Sequence, residues 1–196
     1  LNDFINPSSP VINLSKLLTG SEGSLAFVTS ISLSLDVIPP KEAVMVAAHF
    51  HSIEKCLPSV APLMKHPLFT CEMMDKTILD CTKNNIAQAK NRFFLKGDPQ
   101  GILMLELRAT SQKELQLQLE SLINTLNKIN LSYDISILKG EEIQSALNLR
   151  SAGLGLLGNI VGDDKAVACI EDTAVPVDQL ADYITAFTAL MKKYDQ

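Results

Sequence analysis

The chain has 196 residues, which is enough for one generous domain or for one domain and part of another. Hydrophobic residues make up 46% and charged residues 20%, so collagen-like, low-complexity and wholly disordered chains are excluded. The formal charge of −5 gives no support for non-specific attraction to nucleic acid or to an anionic membrane surface.

The first 38 residues are predicted to form a loop followed by one strand. Residues 1–10 are polar and rich in proline, and residues 19–24 contain two glycines. From Leu25 to Leu35 most apolar residues fall on odd positions, which is typical of a half-buried strand. Pro39 and Pro40 cannot continue this strand, so we expect a domain boundary near residue 38 that separates residues 1–38 from residues 39–196.

After this boundary, short strands alternate with helices. Strands are predicted at residues 43–48, 70–74, 102–109, 133–137 and 166–170. Helices are predicted at residues 53–64 (interrupted or ended near Pro58 and Pro62), 75–91, 111–129 (capped by Ser111), 141–151 and from Pro176 onward. Alternation without a fixed repeat indicates the α+β class, with a ferredoxin-like two-layer sandwich as the architecture.

No apolar run reaches the roughly 18 to 20 residues that a membrane helix requires. The N-terminus lacks the basic and apolar parts of a signal peptide, so we expect a chain without a membrane span. Four cysteines lie far apart without C-x-x-C spacing, and we interpret them as reduced, mostly buried thiols of a cytoplasmic protein. They are Cys56, Cys71, Cys81 and Cys169.

Arg150 is the most informative single residue. Ile143, Leu147, Arg150 and Leu154 are spaced i, i+4, i+7 and i+11, which predicts a guanidinium on the apolar face of a helix. A permanent cation directed inward needs an anion, and the planar guanidinium suits a carboxylate. Position alone leaves two sources of this anion open, an internal Asp or Glu and a bound ligand.

Residues 153–158 read G-L-G-L-L-G, a literal G-x-G-x-x-G, with Glu171 and Asp172 nearly twenty residues later. The dinucleotide-binding motif needs a strand before the glycines and a helix after them. Here a predicted helix precedes them and a predicted strand follows, so we interpret the run as a helix C-terminus and a loop.

Other candidate residues are weaker when each is considered alone. Lys165 opens a predicted strand, where a lysine is usually solvated. His49 and His51 alternate near a strand end, but no third ligand with recognisable spacing follows, so no metal site is predicted. Gly20-Ser21-Glu22-Gly23 has the composition of a tight turn.

Three segments together resemble a known family. Residues 18–29 resemble the G-S-E-G-T-L segment that closes the FAD-binding domain of FAD-linked oxidases of the vanillyl-alcohol oxidase type. Residues 149–158 and 170–176 resemble the R-K-A-G-L-G-L-L and E-D-T-A-V-P blocks of the same family. The resemblance is closest to members of the D-lactate and D-2-hydroxyglutarate dehydrogenase type in which this unit is joined to an iron–sulfur region.

The resemblance implies that the chain is a fragment. Residues 1–38 would end the FAD-binding domain, with Gly20, Ser21, Glu22 and Gly23 facing FAD, and residues 39–196 would form most of the substrate-binding cap domain. Arg150 would bind the substrate carboxylate, and Lys165 would be a second substrate-binding residue. The general base, any metal ligands and any iron–sulfur cluster would come from regions outside this chain, so the fragment would contain no catalytic residue, retain no FAD and be inactive.

The implied reaction is oxidation of a D-2-hydroxy acid by hydride transfer to flavin. Leu154 stands where some relatives have a threonine, which leaves the exact acid and the electron acceptor open. The whole protein is expected to be cytoplasmic or peripheral at the inner membrane, and the fragment is expected to self-associate through its cut surfaces. The alternative hypothesis is a non-catalytic ferredoxin-like module that binds a small ligand or dimerises.

Overall fold

The structure is a computed structural model that describes residues 13–157, 162–163, 170 and 173–195. It divides into two compact units, residues 1–38 and residues 39–196. The described helices are α1 (Leu14–Leu18), α2 (Ile53–Leu63), α3 (Lys76–Cys81), α4 (Ile86–Ala89), α5 (Gln112–Ile129), α6 (Glu141–Leu157) and α7 (Leu180–Lys193). The described strands are β1 (Glu42–Phe50), β2 (Leu68–Asp75), β3 (Gly101–Ala109) and β4 (Asp134–Leu138).

The first unit contains one short helix and an extended segment. The side chain of Asn13 caps α1 by accepting a hydrogen bond from the backbone N–H of Ser15. The strand predicted at residues 25–35 is wrong, because residues 26–40 have no regular secondary structure. A strand needs a hydrogen-bonded neighbour, and the described part of this unit offers none, so Phe27 is 91% exposed and Leu35 is 89% exposed.

The second unit is built on a four-stranded sheet in the order β2-β3-β1-β4, with every neighbouring pair antiparallel. Helix α2 connects β1 to β2, and α5 connects β3 to β4. This order and these crossovers define the split β-α-β arrangement of a ferredoxin-like fold, so the predicted fold class is confirmed.

Helices pack on both faces of the sheet. On one face, α2 and α5 cover a core that includes Val46, Phe50 and Leu105, with Leu119 and Leu122 from α5. On the other face, α3 and α6 cover a second core. Its members include Met45, Met104, Leu79, Ile143, Ala146 and Leu149. Helix α6 therefore forms a layer beyond the two that the sequence predicts, and it brings Arg150 to the sheet.

Two predicted helices differ from the observed ones. Helix α2 runs through Pro58 and Pro62 without a break, because its side chains Cys56, Leu57 and Val60 stay buried against the sheet. Pro58 lies on the exposed side of α2, where water can solvate the carbonyl that its ring leaves without a donor. The helix predicted at residues 75–91 is divided into α3, α4 and a 3-10 turn at Lys90–Arg92.

The C-terminal elements agree in part with the prediction. Pro176 precedes a 3-10 turn at Val177–Gln179, and α7 then begins at Leu180. The half-buried residues of α7 include Tyr183 and Phe187, whose rings stack on each other. The strand predicted at residues 166–170 falls almost wholly outside the described residues. In the described part of the chain, no helix has the length and apolar composition needed to cross a membrane.

Candidate functional site

Arg150 lies on the flank of α6 and not on its buried face. Among the side chains of α6 that the structure describes, the buried ones are Ile143, Ala146, Leu149 and Gly153. After Ile143, this line is offset by one position from the predicted stripe. The Arg150 side chain is 51% exposed, which corrects the expectation of an inward-pointing guanidinium. The error arises because Ala146 and Gly153, two small residues that the apolar pattern did not include, allow α6 to approach its neighbours closely.

A carboxylate meets Arg150 from the sheet. Nε of Arg150 lies 2.7 Å from Oε2 of Glu72, a residue of the edge strand β2 whose side chain is 34% exposed. An internal carboxylate is therefore one partner of Arg150. It is one of the two sources of an anion that the sequence left open, the other being a bound ligand. Sequence reasoning missed Glu72, because only the packing of α6 on the sheet brings residues 72 and 150 together.

A second carboxylate–arginine pair lies on β3, the neighbour of β2 in the sheet. Nε of Arg108 donates to Oε1 of Glu106 at 2.6 Å, and the Thr70 hydroxyl donates to the other Glu106 oxygen at 3.4 Å. Glu106 is buried, and the Arg108 guanidinium stacks over the ring of Phe69. Because Thr70 is the register partner of Glu106, this pair lies next to Glu72 along β2. The arrangement satisfies a buried charge and is typical of a structural ion pair.

A cleft of about 460 Å³ opens between the first turns of α5 and α6. Its lining includes Lys41, Arg108 and Lys139 together with the carboxylates of Glu42 and Glu106. Arg150, the residue to which the family resemblance assigns substrate binding, does not line this cleft.

The glycine turn of the first unit has a conformation that few side chains tolerate. Gly20 has φ of 80°, Glu22 of 50° and Gly23 of 77°. The backbone hydrogen bonds inside the turn use the N–H groups of Ser21 and Ser24. A β-carbon built at either glycine would meet no described atom within 4 Å. The turn therefore presents an open backbone surface that a flat ring or a phosphate could approach closely, and in this respect it fits the flavin.

The G-x-G-x-x-G run is not a phosphate-binding loop in its described part. Gly153 and Gly155 both lie inside α6, which extends six residues beyond the predicted end and corrects the expected loop. A β-carbon at Gly153 would collide with Cγ2 of Ile78 on α3. Gly153 is therefore required for the close approach of two helices, whereas a dinucleotide motif would need it before a helix N-terminus.

Several predicted residues lie outside the described part of the chain. They include Lys165, Glu171, Asp172 and Cys169. The structure describes Arg150 and the turn at residues 20–23 in different units.

The histidines and thiols of the described residues form no metal site. No group of three or more metal-ligating side chains occurs among the described residues. His49 is fully buried, whereas His51 is exposed and stacks on the ring of Tyr133 at 4.0 Å. Burial raises the pKa of Cys56 to about 12 and that of Cys71 to about 11, so both thiols are poor nucleophiles at neutral pH.

Comparison with known proteins agrees with the motifs. The family model for FAD linked oxidases, C-terminal domain, matches residues 39–196. A D-2-hydroxyglutarate dehydrogenase of Pseudomonas putida is 31% identical over 195 residues, covering 93% of this chain and 19% of the relative. One from Haemophilus influenzae is 28% identical over 206 residues, covering 100% of this chain and 20% of the relative.

A relative that is named for a different substrate also matches over the whole length of this chain. A D-lactate dehydrogenase of Anaerostipes hadrus is 24% identical over 198 residues, covering 100% of this chain and 41% of the relative. The chain thus spans about a fifth of the D-2-hydroxyglutarate dehydrogenases that it matches. The resemblance inferred from three short segments is confirmed, and the chain belongs to the family of FAD-linked oxidases, C-terminal domain.

Proposed function

We propose that this chain is part of a flavin-dependent dehydrogenase that oxidises a D-2-hydroxy acid of the D-lactate or D-2-hydroxyglutarate class. The observation that carries the proposal is Arg150, a half-exposed guanidinium on a helix of an FAD-linked oxidase domain. The names of the matching relatives support both substrate classes.

Arg150 would bind the substrate carboxylate and thereby orient the carbon that is oxidised. The carboxylate stays anionic throughout the reaction, so the arginine supplies affinity and a fixed direction at every step. Lys165 would add a second positive charge, and this assignment rests on the family resemblance alone. In this reading, residues 39–196 form the substrate-binding cap domain.

Residues 1–38 would form the end of the FAD-binding domain, with Gly20, Ser21, Glu22 and Gly23 against the cofactor. When bound, FAD would supply the acceptor for the hydride that leaves C2 of the substrate. The general base, any metal ligands and any iron–sulfur cluster would lie in other parts of a longer protein. The longer protein would be cytoplasmic or peripheral at the inner membrane, which the wide spacing of the four cysteines in the sequence supports.

One observation favours a second candidate function. The contact between Arg150 and Glu72 is also what a purely structural arginine would show. In that case the domain would be a non-catalytic module that binds a small ligand or dimerises, as other ferredoxin-like domains do.

The test uses the full-length protein purified with its flavin. Adding D-2-hydroxyglutarate or D-lactate should bleach the oxidised flavin absorbance. Arg150→Ala should keep the flavin and lower kcat/KM by about 100-fold, because it removes charge-assisted hydrogen bonds to the carboxylate. Lys128→Ala, an exposed cation on α5, is the matched control and should leave kcat/KM unchanged.

One outcome would overturn the proposed activity, and another would overturn only the role of Arg150. Absence of flavin, or no bleaching by either acid, would reject the assigned activity. Bleaching that is equally fast in the wild type and in Arg150→Ala would keep the activity but reject the role of Arg150.

A further inference from the structure

We propose that Glu72 is a positioning residue that orients the Arg150 guanidinium for the substrate carboxylate. The inference rests on the proposed function, since it concerns how the substrate-binding arginine is held. Its basis is the 2.7 Å contact between Arg150 Nε and Glu72 Oε2, which joins α6 to the edge strand of the sheet.

The backbones that carry these two residues are fixed by the fold. Strand β2 is paired with β3 from Leu68 to Asp75, and Glu72 is the register partner of Met104. Helix α6 is anchored on the same face of the sheet by Ile143 and Leu149. The long side chain of Arg150 can still rotate about several bonds. A ligand that fixes this side chain on binding must offset the conformational entropy that is lost. A carboxylate on a rigid strand can fix that side chain before the substrate arrives.

The chemistry of the guanidinium permits two carboxylates at once. Its N–H groups lie in one plane and form two forks, one made by Nε with one Nη atom and the other made by the two Nη atoms. Glu72 approaches at Nε, which is the side fork. With Glu72 at Nε, the outer fork would remain for a substrate carboxylate, which it can bind with two parallel hydrogen bonds.

The degree of exposure separates this pair from a structural one. Arg150 is 51% exposed and Glu72 is 34% exposed, and ion pairs that solvent reaches contribute little to stability. In the neighbouring pair, Glu106 is buried and its loss would leave Arg108 without its anion. We therefore expect removal of Glu72 to change substrate binding far more than it changes unfolding.

The experiment measures kcat and KM for the flavin-loaded full-length protein with its preferred D-2-hydroxy acid. Glu72→Ala should raise KM by about 5-fold with kcat nearly unchanged, because the ordering of Arg150 must then be supplied by the substrate. Glu72→Gln keeps a neutral acceptor of the same length and should raise KM by about 2-fold. Glu120→Ala, an exposed glutamate of α5, is the matched control and should leave KM unchanged.

A double variant tests whether Glu72 acts through Arg150. If it does, Glu72→Ala combined with Arg150→Ala should have the KM of Arg150→Ala within about 2-fold, since the two changes affect one interaction. The unfolding temperature of Glu72→Ala should stay within about 2 °C of the wild type.

Each other result would overturn the proposal. A lower KM in Glu72→Ala would mean that Glu72 competes with the substrate for Arg150. An unchanged KM, or a rise that multiplies with that of Arg150→Ala in the double variant, would mean that Glu72 does not act through it. A large fall in unfolding temperature in both Glu72 variants would assign a structural role to Glu72.

Failure of the proposed function can be distinguished from failure of this inference. A wild-type protein that oxidises no D-2-hydroxy acid would reject the proposed function. A change in KM in Arg150→Ala without a change in Glu72→Ala would reject only this inference.

Discussion

At the scale of single residues, His49 is the buried titratable group with the clearest consequence. It is fully buried on β1, and its Nδ1 lies 3.9 Å from the Asp134 carboxylate. Burial lowers the pKa of His49 below the ordinary value of 6.5, and this effect outweighs the opposing influence of Asp134. The folded chain therefore holds His49 neutral, while the unfolded chain lets it become charged.

We expect this histidine to weaken the fold in acid. As the pH falls below about 6.5, the unfolded state takes up a proton that the folded state resists, so the free energy of unfolding decreases. Urea unfolding of the chain at pH 7.5 and pH 5 should show this loss. His49→Met, which fills a similar volume without a charge, should lose less stability between these pH values. A loss in His49→Met identical to that of the wild type would contradict the argument.

At the scale of elements, the approach of α3 to α6 depends on one glycine. A β-carbon at Gly153 would collide with Ile78, whereas one at Gly155 would meet no described atom within 4 Å. Both glycines lie inside α6, so both alanine substitutions gain the same helix propensity and differ only in the space around them.

This pair of glycines gives a matched prediction. Gly153→Ala should destabilise the chain by about 1–3 kcal/mol, because overpacking exceeds the gain in helix propensity. Gly155→Ala should stabilise it by about 0.5–1 kcal/mol. Thermal and urea unfolding measure both changes. Equal effects of the two substitutions would show that helix propensity, and not contact with α3, decides the outcome.

The elements also show what local pattern can predict. Strands β1 and β3 lie where the sequence predicts strands and are buried on both faces of the sheet, and α5 with its Ser111 cap follows from 3.6-residue spacing. The errors have tertiary causes. Burial against the sheet keeps α2 whole through two prolines, and close packing on α3 extends α6 through its glycines. The sequence identifies Arg150 as a candidate binding residue but does not identify its partner Glu72. Contacts between elements that are distant in the chain produce no regular spacing in the sequence.

At the scale of the whole molecule, the buried hydrophobic side chains of the described residues all lie in the second unit. Both hydrophobic cores consist of residues within 39–196. In residues 13–38, no described side chain is buried, and several apolar ones are almost fully exposed. They include Phe27, Leu33, Leu35, Val37 and Ile38. An exposed apolar run of this kind normally packs on another surface, which fits the proposal that residues 1–38 belong to an FAD-binding domain.

Removing residues 1–38 should therefore leave the remaining unit equally stable and make it less prone to associate. We expect residues 39–196 to unfold within about 2 °C of the longer chain, because both cores remain intact. Sedimentation over a range of concentrations should show less self-association, since the exposed apolar run is gone. The double variant Phe27→Ser with Leu35→Ser keeps the full length and should reduce association in the same direction. A fall of more than about 5 °C on deletion would mean that the first 38 residues stabilise the second unit, and they would then be part of the cap domain itself.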